Sequence, residues 1–149
     1  KFRRVLFRSL QASISQSEQA LVLGPLISDQ PIHAYAELGL FRLLLAASAE
    51  QALQKELETF YDTTLGKLLA YDAERGSELV PTLEAFLATL GAPLATAERL
   101  HVHRNTLLYR LTRIEAVAGV DLRYPETRLT LHLALRIGQA RQIAARSAN

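Results

Sequence analysis

The 149-residue chain contains no cysteine, which excludes disulfides and thiolate metal centres and makes the cytoplasm its expected compartment. No apolar run reaches the roughly 20 residues that a membrane-spanning helix requires, and the first residues lack the apolar core of a signal peptide. The motifs of common catalytic designs are missing as well: no G-x-S-x-G elbow, no phosphate-binding glycine loop, no H-x-E with cysteine ligands. Glu56 with Glu58, and Asp72 with Glu74, are spaced for solvent-facing turns rather than for a carboxylate pair. Neither an enzyme nor a cofactor is therefore expected. Lysine is absent after Gly91, where all nine basic residues are arginine, a choice that suits bidentate phosphate binding.

What is present reads as a helical globule. Hydrophobic residues make up 49% of the chain, with leucine and alanine dominant, and the length suits one ordinary domain or two small ones. The opening KFRRVLFRS (Lys1–Ser9) does not read as native protein. Arg4–Ser9 is what the end of a common sequencing adaptor encodes, so a read-through scar is expected there. Four of the 17 Lys and Arg residues lie in it, which leaves 13 against 15 acids, a net −2 instead of +2. Residues 10–90 hold 4 basic and 11 acidic side chains (−7), residues 91–149 hold 9 and 4 (+5). An acidic body followed by a basic end points to a C-terminal module for a polyanion.

Leu10–Leu23 is a weakly patterned helix, SDQP (Ser28–Pro31) breaks the chain, and IHAY (Ile32–Tyr35) favours a short strand. Glu37–Ala47 is apolar on nearly every side, so as a helix it must be buried. Ser48 with Gln51 reads as a capping box for a helix that buries Leu53, Leu57 and Phe60. Leu65, Leu68 and Leu69 mark a further short helix, and YDAERGS (Tyr71–Ser77) reads as a polar linker at a domain boundary. Ser77 caps the next helix, with Pro81 in or near its first turn and a stripe of Leu79, Leu83, Phe86, Leu87 and Leu90. Two helices follow, Pro93–Leu100 and His103–Ala118, the second closed by Gly119. Pro125 starts a last helix with Leu129, Leu133, Ile137 and Ala140 on one face.

The stretch ERLHVHRNTLLYRLTRIE (Glu98–Glu115) carries two histidines one residue apart and four arginines. A metal site is disfavoured: no cysteine exists, and Glu98 and Glu115 lie on helices that direct them elsewhere. His101 instead takes a turn position that needs positive φ, which histidine tolerates better than most residues, and His103 sits at a helix N-cap. Two helices joined by a tight turn are the core of a helix-turn-helix. Ala97 is small where the helices meet, Leu100 closes the first, Val102 plugs the turn, and Leu107 and Leu111 pack back from the second. At about 100° per residue, Asn105, Thr106, Tyr109, Thr112, Arg113 and Ala116 lie opposite Leu107, Leu111, Ile114 and Ala118. Arginine can grip guanine, and asparagine adenine, with two bonds each in the major groove. Arg104, Asn105 and Tyr109 are thus the candidate base readers, with His103, Thr106, Arg110 and Arg113 the candidate phosphate contacts.

At this point the sequence resembles a family. Ala95–Leu122 followed by Pro125–Leu135 is similar to the C-terminal domain of PucR/CdaR-type bacterial transcription regulators, in the wider Fis-like helix-turn-helix group, over roughly Tyr71 to Gly138. YAELGLFRLLLA (Tyr35–Ala46) resembles the end of the degenerate GGDEF-like middle domain of such regulators. The resemblance implies a mostly α chain: residues 10–47 the tail of an α+β GGDEF-like domain, 48–76 linker helices, and 77–149 the helix-turn-helix DNA-binding domain. It also implies double-stranded DNA as partner, a homodimer, and a small-molecule effector sensed by a missing N-terminal part. Leu108 departs from the family, which often has arginine there; Pro93-Leu94 replaces the usual polar cap, and Tyr124 replaces a common acidic one. Two other readings stay open: a helix-turn-helix used for protein interaction or oligomerisation without DNA, and a residual signalling enzyme in the GGDEF-like part.

Overall fold

The computed structural model describes residues 51–147 together with Leu44. The chain divides into two compact units, one of residues 52–139 and one of residues 1–51 with 140–149. The expected GGDEF-like tail, its strand at Ile32–Tyr35 and the capping box at Ser48 lie outside the described residues, apart from Leu44, which is helical and buried. Among the described residues all regular structure is helical: α1 (Gln51–Arg75), α2 (Leu79–Ala88), α3 (Pro93–Arg99), α4 (Arg104–Ala118) and α5 (Pro125–Ser147).

α1 is one helix of 25 residues where the sequence suggests two short ones and a linker. Two threonines inside it bond within the helix. The Thr59 and Thr63 hydroxyls donate to the carbonyls of Lys55 and Thr59, four residues back, at 2.9 and 2.8 Å, which satisfies them without ending the helix. Tyr71–Arg75 continue it, and the turn comes at Gly76, φ +59. Leu53 is 49% exposed rather than buried, whereas Leu65 and Leu68 are fully buried.

A single apolar cluster gathers Leu65 and Leu68 of α1, Leu83 and Phe86 of α2, Ala97 of α3, Leu107, Leu111 and Ile114 of α4, and Leu131 and Leu135 of α5. The packing therefore runs across Ser77. α5 keeps half of the expected stripe, since Ile137 and Ala140 are buried, but Leu131, Ala134 and Leu135 join them while Leu129 is 71% exposed. Close approach explains part of that choice. A Cβ added to Gly138 would lie within 2.5 Å of the Tyr61 ring, so this face of α5 can meet α1 only where the side chain is absent.

The short loops close by one device. After α2, Leu90 donates to the Leu87 carbonyl at 3.1 Å and Gly91 to that of Phe86 at 2.8 Å. After α3, His101 donates to Glu98 and Val102 to Ala97, at 3.1 and 3.0 Å. Both are Schellman closures, which need a left-handed residue just past the cap. Those residues are Leu90, φ 56, and His101, φ 53. Gly119, φ 71, takes the same conformation after α4. Leu90 thus leaves the α2 stripe to which its spacing assigns it and is 90% exposed. A leucine in the left-handed region is strained and here buries nothing, so Leu90→Gly should raise unfolding stability by about 0.5–1 kcal/mol. Urea unfolding followed by far-UV circular dichroism checks this; a loss of stability would contradict the assigned turn.

Candidate nucleic-acid interface

α4 begins at a cap of unusual type. His103 is extended (φ −67, ψ 146), and its Nδ1 accepts the backbone N–H of Asn105 at 3.2 Å. An accepting Nδ1 leaves the other ring nitrogen as the N–H donor. The two histidines of the H-x-H pair therefore have separate local roles, a left-handed turn and an N-cap. α3 starts at Pro93 after Ala92, with no side-chain cap. The hydroxyl of buried Thr96 donates to the Ala92 carbonyl at 2.7 Å and lies 2.7 Å from the Thr89 hydroxyl, which ties α3 to the end of α2.

Burial then sorts the side chains of α4. Leu107, Leu111 and Ile114 are buried with Ala97, and Leu100 and Val102 are half-buried against the same cluster. Arg104, Asn105, Thr106, Leu108, Tyr109, Thr112 and Ala116 are exposed. Arg104 and the Asn105 amide have no protein partner among the described residues. The only acid of α4, Glu115, faces away and accepts the backbone N–H of Leu122 at 2.9 Å, so the exposed face of this helix carries no negative charge.

Arg110 and Arg113 are placed differently from Arg104. Arg110 pairs with Glu78 at 2.8 Å and donates to the Thr82 hydroxyl at 3.2 Å, which fastens α4 to the start of α2. The Arg113 Nε donates to the Tyr71 hydroxyl at 2.9 Å, and its guanidinium lies 5.1 Å from the centre of that ring. That hydrogen bond and the partial charge of Tyr71 hold Arg113 above its already high ordinary pKa. Leu108, 40% exposed, lines a cleft of about 580 Å³ with Pro93, Thr112 and Arg128.

Four contributors escape a reading of the sequence alone. Tyr71 holds Arg113; Glu78 and Thr82 hold Arg110. Asp72 caps α2 from across the turn, its carboxylate accepting Leu79 N–H at 2.9 Å, Val80 N–H at 2.8 Å and the Ser77 hydroxyl. Ser77 is therefore a donor to the cap and not the cap itself, and the residue at the cap position, Glu78, makes no side-chain capping bond. Nothing local marks these roles, since every partner except Ser77 lies seven or more residues away in the chain.

A short helix crossing onto a longer one through a left-handed turn, with the outer face of the second exposed, defines a helix-turn-helix. Residues 79–137 match the PucR C-terminal helix-turn-helix domain. Among related proteins, the purine catabolism regulatory protein of Bacillus subtilis is 42% identical over 83 residues, 56% of this chain and 15% of that protein. The DNA-binding transcriptional activator AdeR of Bacillus subtilis is 29% identical over 106 residues, 71% of this chain and 24% of that protein. The carbohydrate diacid regulator of Escherichia coli is 45% identical over 60 residues, 40% of this chain and 16% of that protein. The chain thus spans less than a quarter of the length of these relatives. No solved structure matches it. No described helix is long and apolar enough to cross a membrane.

Proposed function

We propose that this chain is a sequence-specific DNA-binding transcriptional regulator that lays α4 in the major groove of operator DNA. The observation that carries the reading is the exposed, acid-free start of α4, where Arg104 and the Asn105 side-chain amide have no protein partner among the described residues while Leu107, Leu111 and Ile114 anchor the opposite face. Arg104, Asn105 and Tyr109 read base edges; His103, through its outer ring nitrogen, together with Thr106, Arg110 and Arg113, holds phosphates. Affinity comes from these phosphate contacts and from counterion release, specificity from the base readers. The related regulators, one of them named as DNA-binding, support the same reading.

The chain acts as a cytoplasmic homodimer on half-sites about one helical turn apart, because one such helix reads only a few base pairs. Residues 10–47 are the tail of a GGDEF-like domain, 77–149 form the DNA-binding domain, and effector sensing belongs to a part outside this sequence. No cofactor, metal or catalytic step enters.

The test is selection of duplexes from a randomised library, followed by binding of the Arg104→Ala, Asn105→Ala double variant. Each bidentate contact is worth about 1–3 kcal/mol of discrimination, so the variant should lose both affinity and preference at the contacted positions. Retained preference would refute the assigned readers. Failure of any duplex to enrich would leave protein interaction as the use of the helix-turn-helix.

A further inference from the structure

We infer that the end of α1, outside the segment matched by the helix-turn-helix family, supplies a second backbone-phosphate site built on Tyr71. The inference rests on the DNA-binding reading and extends it to residues that the family domain does not include. Two guanidiniums meet one ring here. Arg113 lies 5.1 Å and Arg75 5.8 Å from the centroid of Tyr71, both within cation–π range. Neither has a carboxylate partner among the described residues. Asp72 caps α2 and Glu78 holds Arg110, while Glu74 is exposed and pairs with neither guanidinium. Two like charges are thus held about one aromatic ring with no carboxylate bonded to either among the described residues, an arrangement that an outside anion would stabilise.

The surroundings indicate which anion. Tyr71, Arg113 and the Gly76-Ser77 turn line a cleft of about 340 Å³ whose walls include Thr106 and Tyr109, both exposed on the face of α4 proposed to meet DNA. A strand whose bases face Arg104 and Asn105 brings its flanking phosphates past this cleft. Tyr71 is then a positioning residue: its hydroxyl accepts from the Arg113 Nε, which leaves the outer guanidinium nitrogens to donate to phosphate, and its ring holds Arg75 beside them. The plainer role of Arg75, a cation in the last turn complementing the α1 dipole, leaves DNA binding untouched, so the two separate by experiment.

The experiment measures binding of the full chain to its selected duplex and to a scrambled duplex, by anisotropy across a salt series. Arg75→Ala should make the slope of log affinity against log salt shallower by about 0.9, equally on both duplexes, with Arg75→Lys restoring most of it. Tyr71→Phe, which keeps the ring, should weaken binding about 2- to 10-fold through loss of one hydrogen bond without changing sequence preference. Unchanged slopes in Arg75→Ala and Arg113→Ala, while the Arg104→Ala, Asn105→Ala variant still relaxes preference, overturn this inference and leave the DNA reading standing. Absence of binding by the unsubstituted chain overturns both. Replacing chloride by inorganic phosphate at constant ionic strength separates the sources of the anion. Unchanged affinity supports the DNA backbone, and displacement of the duplex assigns the site to a free phosphate compound and overturns the proposal.

Discussion

Asp72→Ala should lower unfolding stability by about 2–3 kcal/mol, a large share of what a small helical unit has. Both carboxylate oxygens are used: one accepts the Leu79 N–H at 2.9 Å and the Ser77 hydroxyl, the other the Val80 N–H at 2.8 Å. These are first-turn donors of α2, which no residue of the helix itself can satisfy, and the negative charge opposes the positive end of the helix dipole. Half-exposure lets water replace part of the loss, which is why the figure stays below the sum of two charge-assisted bonds. Asp72→Asn, keeping one acceptor, should cost about 1 kcal/mol. Glu74→Ala, two residues on and exposed, should stay within about 0.5 kcal/mol. The chain has no tryptophan, so urea unfolding is best followed by circular dichroism. An Asp72→Ala loss no larger than that of Glu74→Ala would remove the cap from the account. The same change should loosen Arg110, whose partners Glu78 and Thr82 lie at the start of α2.

Adjacent leucines of α4 should behave oppositely. Leu107 is fully buried, and Leu107→Ala should cost about 2–5 kcal/mol through lost burial and the cavity left behind. Leu108 is 40% exposed, and Leu108→Ala should stay within about 0.5 kcal/mol. Leu108→Arg adds a cation beside the exposed face, and it should steepen the salt dependence of DNA binding by about 0.9 without loss of stability. Comparable destabilisation by Leu107→Ala and Leu108→Ala would mean that the burial pattern of α4 is misassigned.

Much of the helix-turn-helix was legible because its determinants are local. Leu107, Leu111 and Ile114 repeat at helical spacing, and such a repeat alone puts them on one side of α4 whatever lies opposite. His101 was legible as a left-handed turn because histidine tolerates that conformation and the two flanking helices leave few residues to turn in. Leu90 was not. Its spacing continues the α2 stripe, and only the Schellman closure at Gly91 turns it outward. α1 misled for a related reason: the polar run Tyr71–Ser77 reads as a linker, yet Tyr71–Arg75 continue the helix and Asp72 serves to cap α2. The stripe of α5 was placed only in part, right at Ile137 and Ala140 and wrong at Leu129, because that helix has apolar residues on more than one side, and a pattern of that kind does not say which side is covered.

The sequence by itself determined that residues 93–118 form a helix, a tight turn and a second helix with an arginine-bearing outer face, because capping, backbone preference and periodicity act over a few residues. Tertiary structure alone decided which cations that face keeps. Arg104 stays without a partner among the described residues, Arg110 is fastened to Glu78, and Arg113 is set on Tyr71. Those partners are 32 and 42 residues away. A charge does not indicate in sequence which distant group will meet it, and only the packing of α1 and α2 against α4 brings them together.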